Sequence, residues 1–134
     1  MQPNASYNNT PSEIRLNTPK TELTVTWPDK SAALRAEYLR VESPSAEVKG
    51  HGLGQARLVS GKSQVTITGV EPVGAYALKI IFSDGHNTGL YTWPYLRELA
   101  EQETIRWSAY VTDLEKAGLT RDKAGKVVLR ANLS

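Results

Sequence analysis

The sequence predicts an α+β domain, in which a twisted antiparallel β-sheet or pair of sheets is covered by a C-terminal helical segment. Three observations predict it. Apolar and polar residues alternate in several short runs within the first ninety positions, turn residues separate those runs, and from Trp93 the period changes to that of a helix. Strands first and helices last is the order expected of an α+β chain rather than of a parallel α/β one.

Residues 1–12 are polar and Asn-rich and read as a flexible lead-in. In Glu13–Asn17 and Thr21–Trp27, residues Ile14, Leu16, Leu23, Val25 and Trp27 share one face at a spacing of two. Thr18-Pro19-Lys20 between them makes the pair a hairpin. Pro28 and Asp29 close the second strand, and Ala32–Ala36 reads as a third. Glu37–Glu42 does not alternate and suits one helical turn, ended before Pro44 because the residue preceding a proline avoids the α region. Gly50, Gly52 and Gly54 demand a loop. Ala56–Ser60 and Gln64–Val70 read as a second hairpin about Gly61-Lys62. Tyr76–Phe82 carries the strongest strand signal, and Asp84-Gly85 is a tight-turn dipeptide leading into Thr88–Thr92.

Beyond Trp93, residues Leu96, Leu99, Ala100, Trp107, Tyr110, Val111 and Leu114 fall on one helical face. Thr92 is placed to cap the helix, with Pro94 in the first turn where its missing N–H is tolerated. Gly118-Leu119 fits a glycine stop with its hydrophobic contact. The stripe weakens at Gln102–Thr104, which suits two helices with a short break.

Composition narrows the chemistry. At 134 residues, 40% hydrophobic and 22% charged, the chain matches one globular domain and lies outside the disordered regime. It has no cysteine, which excludes disulfides, thiol nucleophiles and thiolate–metal sites. No apolar run reaches the roughly 18 residues of a membrane span, and residues 1–10 lack the basic and apolar segments of a secretory signal, so a cytoplasmic location is expected. The net charge of +2 divides into +3 over residues 119–134 and −1 over residues 1–118. A nucleic-acid domain needs its basic face on the folded body, so nucleic acid is not the expected partner, and without a spanning run neither is a membrane. Residues 119–134 read as a basic, flexible tail.

Several groups invite a functional reading. His51, His86 and Asp84 are numerically enough for a metal site of two histidines and a carboxylate; the plainer reading is two histidines in Gly-rich turns. Ala56–Ser63 matches a loosened phosphate-binding loop. That mechanism needs a strand before the loop and a helix after it, whereas Gln64–Thr68 alternates like a strand. Ser43 or Ser45 can be paired with His51 on paper, but no nucleophile elbow surrounds them. Glu98 and Glu101 form a carboxylate pair that the helical period turns toward solvent. Tyr38, Tyr91, Trp93 and Tyr95 suit either an aromatic docking patch or, more simply, core packing.

Two long runs, Glu37–Gly52 and Gly69–His86 continuing through Thr88–Leu96, resemble the small bacterial proteins of domain-of-unknown-function family 971, also called the gamma-butyrobetaine hydroxylase-like N-terminal domain. The resemblance covers residues 13–118. A similar module precedes the catalytic part of 2-oxoglutarate-dependent hydroxylases and accompanies ATPases that carry iron–sulfur clusters. The resemblance implies a non-catalytic scaffold that attends other domains. In the hydroxylases a structural zinc is held by three cysteines after a Trp-Leu-Arg motif and by one later histidine. Tyr38-Leu39-Arg40 matches that motif and His86 the histidine, while the cysteine positions fall on Ser43, Ser45 and Val48, so this zinc site is expected to be absent.

The reading is therefore a non-enzymatic accessory or protein-interaction domain with no required cofactor, serving an iron-dependent or cofactor-assembly system. Arg40, Glu47, His51 and His86 are its expected contact residues for an unidentified protein. The alternative is a metal-binding protein holding iron or zinc through His51, Asp84 and His86.

Overall fold

The computed structural model describes residues 9–44 and 58–122. Over these, two three-stranded antiparallel sheets are followed by two C-terminal helices, the α+β arrangement expected. Strands β1 (Glu13–Leu16), β2 (Glu22–Trp27) and β3 (Lys30–Arg35) form the first sheet in that order. Leu23, Val25 and Trp27 of β2 are buried while its Glu22, Thr24 and Thr26 alternate outward, and Ile14 and Leu16 lie opposite Val25 and Leu23. In the β1–β2 turn, Lys20 takes a positive φ and the Asn17 carboxamide oxygen accepts from the Thr21 and Glu22 amides. A two-residue loop, Pro28-Asp29, then joins Trp27 to its partner Lys30.

Helix α1 (Ala36–Val41) follows β3 without a linker, and all six of its residues are buried. A helix this short is unstable in isolation, so tertiary contacts must hold it. They do so at its C-terminal carbonyls, which have no intrahelical donors. The Tyr91 hydroxyl donates to the Leu39 carbonyl at 2.6 Å, and Tyr95 to that of Glu42 at 2.6 Å. Tyr38, on the helix itself, donates to Leu99 at 2.7 Å. Burial raises all three phenols above their ordinary range, and that of Tyr95 reaches about 12.

The second sheet runs β4 (Ile67–Val73), β5 (Ala77–Phe82) and β6 (Leu90–Thr92). Pro72 is tolerated within β4 because that strand lies at the sheet edge. The Ile67 amide donates to the Lys20 carbonyl at 2.9 Å and ties the sheets together. Leu23, Val25, Leu34, Tyr38, Leu39, Ile67, Ile80 and Phe82 share one core with Leu96 and Leu99. The expected strand over Ala56–Ser60 is not formed at 58–60, and positions 56–57 lie outside the described residues. There the Val59 carbonyl takes the Tyr110 hydroxyl at 2.6 Å, so it is spent on a helix rather than a strand ladder.

Helix α2 (Trp93–Glu101) begins at Thr92, whose side chain accepts from the Tyr95 amide. The chain breaks at Gln102, within the predicted interval, and continues as α3 (Glu103–Ala117). Gly118 closes α3 with φ 71°, its amide donating to Glu115 and that of Leu119 to Leu114. Tyr110 and Leu114 bury against Val41 as a second, smaller core. Among the described residues, no helix is long and apolar enough to cross a membrane.

Candidate functional site

The polar residues singled out in the sequence meet where α1 ends, beside the turn after β5. That turn is built by Asp84-Gly85: Gly85 adopts φ 91°, and the Asp84 Oδ1 accepts from the His86 amide at 3.1 Å. The chain then pairs back through the Phe82 amide and the His86 carbonyl, which carries the imidazole inward. His86 is 7% exposed and Ser43 is fully buried; Ser43 Oγ and His86 Nε2 share a hydrogen bond at 2.9 Å. Among the described residues the histidine that meets Ser43 is thus His86; His51, considered from sequence, lies outside them.

Arg40 is 9% exposed. Its Nε donates to Asp84 Oδ2 at 2.8 Å, and Lys62 Nζ reaches the same oxygen at 2.6 Å. Burial pushes the Asp84 carboxyl up, but hydrogen bonds from Lys62, the His86 amide and Arg40 outweigh it and hold the group at about 2. Asp84 is therefore a carboxylate, with one oxygen committed to two cations.

Arg40 and His86, expected on a shared polar surface, are instead buried members of this junction. The reason is the direction of α1: a helix buried on every side leaves Arg40 no solvent to face. Glu47 and His51 lie outside the described residues, as do Ser45 and Val48. Among the described residues, no three His, Asp or Glu side chains gather around a common point. Within the alternative metal set, Asp84 and His86 do come together, but through the His86 backbone amide; the imidazole Nε2 is directed to Ser43.

The loop at Gly61-Lys62-Ser63 lacks phosphate-cradling geometry. Its Gly61 and Ser63 amides donate to the Thr120 and Arg121 carbonyls, at 3.0 and 2.9 Å, and no helix follows it. The same segment shows what sequence reasoning missed. Arg121 forms a two-pronged pair with the buried Glu37, at 2.8 and 2.9 Å, so residues 119–122 are anchored although they fall in the expected flexible tail. An acidic residue inside a mostly apolar helical turn was the available signal, since a buried carboxylate requires a cation. The aromatic set is equally internal: Tyr38 and Tyr91 are fully buried, and the Trp93 indole donates to Ala75 at 2.8 Å.

Two small antiparallel sheets, a wholly buried helical turn and a polar junction of Arg40, Ser43, Asp84 and His86 define a compact α+β domain class. The gamma-butyrobetaine hydroxylase-like N-terminal family model matches residues 14–97, and the chain belongs to that family. A crystal structure of a protein of unknown function from Acidithiobacillus ferrooxidans, assigned to the DUF971 family, is 40% identical. It covers 69% of this chain and 94% of that one, with a TM-score of 0.56. Two protein structures determined in solution by NMR are also similar. One is 48% identical over 88% of this chain and 94% of its own, with a TM-score of 0.75. The other is 36% identical over 97% of each chain, with a TM-score of 0.72. No curated protein matches the chain.

Proposed function

We propose that this chain is a non-catalytic accessory domain that acts in the cytoplasm by contacting another protein. The observation that carries the reading is the burial of its most reactive-looking groups. Ser43 is closed off from solvent, and the histidine and arginine beside it are bonded to Ser43 and Asp84. A nucleophile or general base has to reach its substrate, so such a junction serves folding better than turnover. The family description, an N-terminal portion of hydroxylase-like proteins, supports a role attending other domains, and an iron-dependent or cofactor-assembly system is the setting we infer. With Arg40 and His86 acting from within, Glu47 and His51 become the residues assigned to the contact.

Affinity capture from the native cell, comparing wild type with Glu47→Ala/His51→Ala, tests this. A specific protein partner retained by wild type and lost by the variant is expected. Equal capture by both would move the contact elsewhere, and turnover of any substrate by the purified chain would overturn the non-catalytic reading.

A further inference from the structure

Arg40 carries a second, unexplained feature. Its Nη1 is buried and has no hydrogen-bond partner among the described residues, although Nε of the same guanidinium is well paired. A buried donor left unsatisfied is costly, and in a native structure it calls for an explanation, a bound water or ion among them. The charge around it is unbalanced as well. Among the described residues, Arg40 and Lys62 together place two positive charges on one carboxylate oxygen of Asp84, so these three side chains sum to one net positive charge. The Lys62 ammonium has three donors, of which Asp84 takes one.

We propose that Arg40 and Lys62 bind a small oxyanion, phosphate or carboxylate, that accepts from Arg40 Nη1 and from a further proton of Lys62 Nζ. Both side chains already converge on one oxygen of Asp84, which brings the guanidinium and the ammonium to one place. Guanidinium and ammonium groups are the usual donors to such anions, with charge-assisted bonds roughly twice as strong as neutral ones. Lys62 keeps 22% of its side chain exposed and offers the route from solvent. The neighbouring Gly61 and Ser63 amides are committed to Thr120 and Arg121, so side chains rather than a backbone cradle do the holding. Asp84 admits only one such anion, since it already neutralises one of the two cations. This inference does not depend on the chain having a protein partner.

The test is thermal unfolding of the full chain titrated with sodium phosphate and separately with sodium acetate, each against sodium chloride at matched ionic strength, which removes general screening. A saturable rise in melting temperature with phosphate, acetate or both is expected, and phosphate alone would assign the phosphate class. Lys62→Ala and Lys62→Gln should each weaken the apparent affinity about tenfold, the worth of one charge-assisted bond, while Lys62→Arg should retain it. Two variants guard against one that folds poorly. A rise no larger than that from chloride, or a rise unaltered in both Lys62 variants, would overturn the proposal.

Discussion

Ser43 Oγ lies 2.9 Å from His86 Nε2, and a Cβ placed on Gly89 would come within 2.4 Å of the same Ser43 oxygen. Three positions spread over 47 residues therefore close on one buried hydroxyl. In the related hydroxylases the resemblance puts a cysteine and a histidine of a zinc site at positions 43 and 86. Here a serine–histidine hydrogen bond joins the same two positions.

Gly89→Ala should be destabilising by about 1–3 kcal/mol, because the added methyl group forces Ser43 to shift in a packed site. Ser43→Ala alone should lose about 1–3 kcal/mol by removing a buried partner of His86. Together they should be less harmful than their sum, since the alanine at 43 removes the clashing oxygen. Denaturant unfolding of the three variants as a double-mutant cycle checks this. Strict additivity would show that position 89 does not press on Ser43.

A structural metal is not expected to support the fold. Treating the purified chain with a strong chelator should leave its melting temperature unchanged, since serine and valine stand at the expected cysteine positions. A fall of many degrees, with metal found by elemental analysis, would reinstate the alternative centred on His51, Asp84 and His86.

Glu37 and Arg121 give a prediction about chain ends. A chain ending at Leu119 should be less stable than one ending at Asp122 by about 2 kcal/mol, because it leaves the buried Glu37 carboxylate without its cation. The half-exposed guanidinium keeps that figure below the value for a fully buried pair. Glu37→Gln in the shorter chain should recover part of the loss. Equal unfolding midpoints for the two chain lengths would count against the anchor.

Acid should act through Asp84. Its carboxyl sits at about 2 against an ordinary 3.8, so the folded state binds its proton less readily than the unfolded chain does. The stability this contributes is complete above the ordinary value and is lost as pH falls from about 4 to about 2. Asp84→Asn should flatten the stability profile across that interval, measured by unfolding at fixed ionic strength. An unchanged slope would mean that Arg40 and Lys62 do not hold the carboxylate.

Alkali should act through the tyrosines. Burial raises the phenols of Tyr38, Tyr91, Tyr95 and Tyr110, with Tyr95 and Tyr110 at about 12. For a raised group, the contribution to stability is complete below the ordinary value of 10 and is lost as pH rises through the folded one. Ultraviolet titration should therefore show at least four of the six tyrosines ionising together with unfolding. Titration of all six near pH 10 in a folded chain would contradict the buried hydroxyl bonds.

Local signals determined much of this protein. Alternation set Leu23, Val25 and Trp27 on one face of β2, the Asp84-Gly85 dipeptide made its turn, and Thr92 and Gly118 marked helix ends, since each depends on residues a few positions apart. The weakened stripe at Gln102 likewise announced the break between α2 and α3. Two long runs were enough to suggest the family. Tertiary structure alone decided where the polar residues point. Arg40 reads as solvent-facing by type, yet α1 is enclosed on all sides, and its charge is met by Asp84 from 44 positions away. Glu37 finds Arg121 across 84 positions, and four tyrosine hydroxyls find backbone carbonyls between 51 and 61 positions distant. Such pairings leave no periodic trace, because a buried polar group requires only that some partner arrive, and the packing of the two sheets and helices selects which one does.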